Sequence, residues 1–142
     1  MYMPSDVLAD RHRDSLLRKR KMPNAGLMVI GGQDLAHNFT ASVECFDPSI
    51  ERWQALPDMN APRWGCAAAC IGGIVYVAGG FSESESEPLA SAECFNPWTG
   101  VWKRLPDMSV PRGGCASACI GGLFYVVGGG EYSDSHGLSS LE

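Results

Sequence analysis

An all-β fold of stacked, four-stranded antiparallel sheets is what this sequence predicts, and three observations predict it. The chain repeats itself: shifted by 49 residues, 42–80 align with 91–129 at 24 of 39 identical positions, where chance would give about two or three. Its apolar residues, 45% of the total, fall in short runs broken by Gly, Pro, Asn and Asp rather than at helical spacing. The 17 Gly, 9 Pro and 4 Trp in 142 residues suit turns between short strands.

The shared frame reads Ser42-x-Glu44-Cys45-Phe46-x-Pro48, Trp53, Leu56-Pro57-Asp58-Met59, Pro62-Arg63, Cys66, Cys70-Ile71-Gly72-Gly73, Tyr76-Val77 and Gly79-Gly80. Its second copy runs from Ser91 to Gly129 and carries Trp102, Pro111-Arg112, Cys115, Cys119 and Gly128-Gly129 at the same offsets. A third doublet, Gly31-Gly32, follows the apolar run Leu27 to Ile30.

Four strand signals occur per period: Gly65 to Ile71, Ile74 to Ala78, Ser91 to Phe95 and Val101 to Leu105. Gly72-Gly73 between the first two is the two-residue signature of a tight hairpin with positive φ at both positions. The connection after each Gly-Gly differs between copies, Gln33 to Ala41 in one and Phe81 to Ala90 in the other, which marks a solvent loop. Within it, Ser82-Glu83-Ser84-Glu85-Ser86-Glu87 reads as an acidic hairpin tip, and its Ser-x-x-Glu spacing resembles acidophilic kinase sites.

One such sheet cannot bury both its faces, so the repeats are expected to pack face to face around an axis as the blades of a propeller. Trp53 and Trp102, once per copy, are the expected inter-blade anchors. Small residues at Cys66, Ala68, Cys70 and at Cys115, Ser117, Cys119 suit a crowded inner strand.

The net charge of −5 is unevenly placed: residues 1–25 hold six basic and three acidic residues, the remainder five basic and thirteen acidic. The acidic body argues against nucleic acid as the main partner. The basic stretch, including Arg18-Lys19-Arg20-Lys21, reads as a solvated linker, with a localisation or phosphate-contacting patch as the alternative. No apolar run reaches the roughly 18 residues of a membrane span and no signal peptide is evident, so an intracellular protein without membrane contact is expected.

The six cysteines fall in three repeat-phase pairs, Cys45/Cys94, Cys66/Cys115 and Cys70/Cys119. Two cysteines four apart on a strand stand about 13 Å apart at 3.3 Å per residue, too far for one zinc ion or a local disulfide. They are expected to be buried, reduced thiols. His12, His37 and His136 share no spacing with a nucleophile or metal motif, so neither catalysis, cofactor nor metal is expected.

Taken together, Gly-Gly after a Tyr-containing strand, Glu-x-Phe-x-Pro, a Trp and Leu-Pro-x-Met-x-x-Pro-Arg resemble the kelch repeat across residues 26 to about 132. The Leu-Pro-Asp-Met and Pro-Arg elements look most like kelch-like proteins, whose architecture is BTB, BACK and a propeller of roughly six blades. The resemblance implies a partial kelch β-propeller after a short N-terminal basic linker. Residues 1–25 fall where the family's BACK domain ends, 26–60 supply strands B to D of one blade, 61–109 a complete blade, and 110–142 strands A and B of a third with a tail. A ring needs at least about four blades, so these are expected to be an incomplete ring: a fragment, a truncated isoform, or a unit completed by assembly.

The resemblance also implies a site. The Pro-Arg arginine, the residues after it and those after Gly-Gly line the binding face in such receptors. The matching positions are Arg63, Trp64, Gly65, Arg112, Gly113, Gly114, Gln33, Asp34, Phe81 and Ser82, with Gly31, Gly32, Gly79, Gly80, Gly128, Gly129, Trp53 and Trp102 structural. Arg63 and Arg112 suit capture of a carboxylate or phosphate on a peptide, or alternatively pairing with a neighbouring blade's carboxylate. The implied function is protein recognition within an adaptor for a cullin-type ubiquitin ligase, with an actin-binding or cytoskeletal scaffold as the alternative. The partner is then a protein or peptide at the propeller face, with the cullin reached only through a BTB domain. The expected compartment is the cytoplasm, with nucleus or cytoskeleton as alternatives.

Overall fold

The computed structural model describes residues 26–82, 85–130 and 140–141; the basic linker, Glu83, Ser84 and most of the tail lie outside them. Eleven β-strands and no helix occur among the described residues, as the all-β expectation requires. β1 (Leu27–Ile30), β2 (Val43–Asp47) and β3 (Arg52–Leu56) form a three-stranded antiparallel sheet in that order. β4 (Ala67–Ile71), β5 (Ile74–Ala78), β8 (Ala92–Asn96) and β9 (Val101–Leu105) form a four-stranded one. β10 (Ala116–Ile120) and β11 (Leu123–Val127) form a third, two-stranded sheet. The three are pieces of a propeller, and no sheet closes on itself among the described residues.

The hairpins follow from their turn residues. Ile71 pairs with Ile74 across Gly72 and Gly73, whose φ values of 58° and 81° are the positive pair a type I′ turn demands. At the β2–β3 turn, the Asp47 carboxylate accepts from the amide and hydroxyl of Ser49 at 2.8 and 2.6 Å. Asn96 takes the same role between β8 and β9, its Oδ1 accepting from the Trp98 and Thr99 amides. A short side chain replacing backbone partners is why Asp or Asn stands there.

The core lies between sheets. Val43, Cys45, Leu56 and Met59 meet Val75, Val77 and Phe95, with Trp102 packed against the same cluster. On the other side Ala67, Ala78 and Ala92 meet Val126, and Tyr76 contacts Phe124 at a ring separation of 5.9 Å. The middle sheet is thus covered on both faces. That is why β5 reads Ile-Val-Tyr-Val-Ala without alternation, as a strand buried on two sides does. Fully burying a residue such as Phe95 contributes about 1.5–3 kcal/mol.

Three local expectations need correction. The first strand begins at Ala67 rather than Gly65, because Trp64 is already paired with Phe81 in both directions at 3.0 and 2.8 Å. The connection expected as a solvent loop contains a two-stranded ribbon, β6 (Phe81–Ser82) with β7 (Glu85–Pro88), started by that same pairing. Of the cysteines expected to be buried, Cys45 is, but Cys70 and Cys119 are exposed. Cys70 stands three residues along β4 from Ala67, which is in the core between sheets, so position along the strand, not the strand itself, decides its exposure.

Candidate functional site

Each Pro-Arg arginine is a junction between two sheets. Arg63 is 2% exposed. Its Nη1 donates to the carbonyls of Gly79 and Ser91 at 2.8 and 3.0 Å, and its Nη2 to the Ser91 hydroxyl at 2.8 Å. Its Nε donates to Glu93 Oε1 at 3.0 Å. The other carboxylate oxygen of Glu93 accepts from the amide and side chain of Asn60 at 3.0 and 2.8 Å. The side chain therefore ties the ends of β5 and β8 together. Its backbone reaches the preceding sheet: the Arg63 carbonyl accepts from Gly32 at 2.8 Å, and its amide donates to Thr40 at 3.1 Å.

One period later the arrangement recurs. Arg112, fully buried, donates to the carbonyls of Gly128 and Ser140 at 2.7 and 3.0 Å and to the Ser140 hydroxyl at 2.7 Å. Its carbonyl accepts from Gly80 at 2.7 Å and its amide donates to Leu89 at 3.1 Å. The doublets now have a physical reason. A Cβ on Gly31 would fall on the Arg63 carbonyl oxygen, and one on Gly79 on that of Arg112. The second glycine of each pair donates to the same oxygen. Gly128 continues the series through its carbonyl bond to Arg112, and its neighbour Gly129 lies against Gly113 and Cys115.

Arg63 and Arg112 thus do not present a guanidinium to a ligand from solvent. The paired-arginine alternative describes Arg63, with one amendment: Glu93 belongs to the sheet that follows Arg63, and the neighbouring sheet is met by backbone. Ser91, Glu93, Asn60 and Ser140 were not singled out from the sequence. The signal was present, because Ser42/Ser91/Ser140 and Glu44/Glu93/Glu142 recur, with Arg63 28 and 30 residues ahead of Ser91 and Glu93 and Arg112 28 and 30 ahead of Ser140 and Glu142. Glu142 itself lies outside the described residues.

Trp102 stacks on Phe95 at 4.9 Å, and its indole N–H donates to the Pro57 carbonyl of the preceding sheet's exit segment at 2.8 Å. Trp53, at the same place in the first sheet, packs on Phe46 but is 49% exposed, because no sheet precedes it among the described residues.

The remaining predicted residues gather at the end of the sheets where the loops after Gly-Gly emerge. Trp64 stacks on Phe39 at 5.9 Å and tilts on Phe81 at 5.6 Å. Phe81 is 7% exposed and its ring occupies the space a Cβ of Gly113 would need. The Gly114 amide donates to the Gly65 carbonyl at 2.9 Å. Phe39, Trp64, Phe81 and Gly113 therefore make one ridge crossing both sheet junctions. Ser82, expected at the surface, is buried at 8%.

Gln33 and Asp34 are exposed beside the ridge. Gln33 Nε2 donates to the His37 carbonyl at 2.9 Å. Asp34 Oδ1 accepts from the amides of Ala36 and Asn38 at 2.8 and 2.9 Å, and Oδ2 from the Asn38 side chain at 3.0 Å. Those bonds, with the Asn38 side chain foremost, hold the Asp34 carboxyl below its ordinary value of 3.8. Burial, chiefly, pushes the thiols of Cys66 and Cys115 up.

Among the described residues no three His, Cys, Asp or Glu side chains cluster as metal ligands. A cavity of about 140 Å³ beside the first junction is lined by Asn60, Ala61, Arg63, Ser91, Ala92, Glu93 and Arg104. Pockets that bury a drug-sized ligand measure roughly 300 Å³ or more, and the Arg63 and Glu93 groups here are already hydrogen bonded. No described helix is long and apolar enough to cross a membrane.

Comparison with known proteins agrees with the geometry. The Kelch motif family matches residues 27–60 and 62–109. The chain is 36% identical over 59 residues to an F-box/kelch-repeat protein of Arabidopsis thaliana, covering 42% of this chain and 16% of that one. It is 36% identical over 59 residues to Kelch-like protein 23 of Homo sapiens, covering 42% and 10%, and 32% identical over 78 residues to Beta-scruin of Limulus polyphemus, covering 55% and 8%. The chain thus spans between 8% and 16% of the length of these three relatives. Among solved structures, that of YjhT superposes with a TM-score of 0.65 at 23% identity, covering 78% of this chain and 33% of that chain, which establishes likeness of fold. Matched over more than half its length, and with the motif's own glycines and arginines forming its sheet junctions, the chain belongs to the kelch-repeat family and is a protein-interaction module.

Proposed function

We propose that this chain is a segment of the recognition propeller of a kelch-like adaptor, which presents a bound protein to a cullin-type ubiquitin ligase through a BTB domain elsewhere on the full polypeptide. One observation carries the reading: residues the repeats share and residues in which they differ lie in different places. The shared Gly-Gly, Pro-Arg, Ser and Glu are spent inside the sheet junctions. The differences collect at one end, where Trp64 stands opposite Gly113 in the frame and the 33–41 and 81–90 loops diverge in length and content. A constant scaffold that holds variable loops at one end is how recognition surfaces are built.

Kelch-like protein 23 and F-box/kelch-repeat proteins among the relatives support the adaptor. The match to scruins supports the second reading, an actin-binding or cytoskeletal kelch protein. On the adaptor reading the protein works in the cytoplasm. The test is paired: precipitate the full-length protein and probe for a cullin, and sediment it with filamentous actin. Cullin recovery without actin cosedimentation is expected. Actin cosedimentation without cullin would replace the adaptor by the scaffold.

A further inference from the structure

We infer that the first sheet carries an open guanidinium-binding site, made by the Gly31 and Ser42 carbonyls, the Ser42 hydroxyl and the Glu44 carboxylate. It takes an arginine on an extended segment of a partner protein. Glu44 alternates along β2 with Val43 and Cys45, which face the middle sheet, so it points the other way. The inference does not depend on the adaptor reading.

The chain builds this cradle three times. In each sheet the first glycine of the doublet donates its amide to a serine carbonyl: Gly31 to Ser42 at 2.8 Å, Gly79 to Ser91 at 3.1 Å and Gly128 to Ser140 at 3.3 Å. That bond brings the glycine carbonyl, the serine carbonyl and the serine hydroxyl together. In the second sheet Arg63 donates to all three, with Glu93 on its Nε, and in the third Arg112 donates to the same three groups. In the first sheet no described Arg or Lys side chain reaches the set. The Ser42 hydroxyl meets Thr40 Oγ1 at 3.0 Å, and can donate there while accepting from a ligand. Ser42 and Glu44 are exposed, so the cradle is open to solvent.

Acceptors grouped around one carboxylate call for a charged fork of N–H donors, which arginine has and lysine, with three donors on one atom, lacks. The rest of the face says what carries the arginine. Leu27, Phe46 and Trp53 lie side by side, with Leu27 and Trp53 62% and 49% exposed. Their counterparts Val75, Phe95 and Trp102 are covered by the run that leads to Arg63: Leu56 and Met59 pack there, the Pro57 carbonyl takes the Trp102 indole and Asn60 takes Glu93. The fitting ligand is therefore an extended Leu-Pro-x-Met-Asn-x-Pro-Arg segment or its like. Both Pro-Arg arginines of the chain are spent at its own junctions, and a second copy spends them likewise. Arg104 is held by Asp107 at 3.0 Å, and residues 1–25 contain no Pro-Arg. Another protein supplies the arginine.

The probe is a fluorescein-labelled, amidated peptide copy of residues 55–63, compared with versions carrying Lys or Gln in place of its arginine. Binding to the 142-residue chain, and to the full-length protein, is read by fluorescence anisotropy near physiological salt. The arginine peptide is expected to bind about fivefold tighter than the lysine one and about tenfold tighter than the glutamine one. Glu44→Gln and Ser42→Ala, both at exposed positions, should each weaken it about threefold or more. Glu51→Gln, at the exposed β2–β3 turn, should leave it unchanged. Equal binding of the three peptides overturns the guanidinium site. An arginine preference that ignores both Glu44→Gln and Ser42→Ala is adsorption to an acidic protein and overturns it too. Binding by the 142-residue chain but not by the full-length protein means that the polypeptide fills its own cradle, and overturns the partner. Binding of no peptide overturns the inference and leaves the adaptor reading to its own test.

Discussion

Arg63 and Glu93 form an ion pair of 3.0 Å with side-chain exposures of 3% and 2%, and Asn60, Gly79 and Ser91 hydrogen-bond to one or the other. Removing one member of a buried pair leaves a charge without solvent or counterion, at a cost of about 3–5 kcal/mol. Arg63→Ala is expected to destabilise by that amount. Glu93→Gln keeps the shape but leaves the Arg63 charge without a counterion and turns an NH2 toward a donor, because both carboxylate oxygens accept, so it should also cost about 3–5 kcal/mol. Replacing both by Leu should cost less than the sum of the single leucine replacements. Urea unfolding measures all three. Additive losses would mean that the pair is not coupled.

The glycines separate two effects. At Gly72 φ is 58° and a Cβ would meet nothing within 4 Å, so Gly72→Ala carries only the left-handed backbone cost of about 1–2 kcal/mol. Gly79→Ala adds a collision with the Arg112 carbonyl and strains the Gly80 bond to it, for about 3 kcal/mol in all. Similar losses at the two positions would show that close approach is not what Gly79 provides.

Asp34 makes the 33–39 loop sensitive to acid. Its folded pKa lies below the ordinary 3.8, so its stabilising contribution is present above that value and disappears as pH falls through the lower, folded one. The Ala36 and Asn38 amide resonances should stay fixed from neutral pH down to about pH 4 and move only below it. A titration midpoint at or above 3.8 would mean that the loop bonds do not favour the ionised form.

Burial should order the thiols. Cys70 and Cys119 are exposed, whereas Cys66 and Cys115 are desolvated and hold their protons to higher pH, so less thiolate is present to react. Alkylation followed by mass spectrometry should label Cys70 and Cys119 first, and Cys66, Cys115 and the buried Cys45 last. Recovery of a Cys66–Cys70 disulfide would contradict the strand assignment.

Strand positions were legible because local chemistry sets them: Gly72-Gly73 makes a turn in any context, and an apolar pentapeptide bounded by Gly is a strand. The inter-sheet role of Trp102 was legible from its recurrence with Trp53. The fates of Arg63 and Arg112 were not. A Pro-Arg motif looks alike whether the guanidinium meets solvent or a carboxylate 30 residues later, and only the stacking of sheets decides which. The β6–β7 ribbon was hidden for a similar reason. Ser-Glu alternation has little strand propensity, and the ribbon is started by the Trp64 backbone, distant in sequence.

The central claim is that the arginine carbonyls hold neighbouring sheets together through the Gly-Gly amides and so keep the recognition end in shape. Hydrogen exchange at the Gly32 and Gly80 amides, bonded to Arg63 and Arg112 at 2.8 and 2.7 Å, tests it most directly, in the parent and in Glu93→Gln. Both amides should exchange slowly in the parent, and the substitution should speed Gly32 while leaving Gly80 slow. Rapid exchange at both in the parent, or a Gly32 rate that ignores Glu93→Gln, would contradict it.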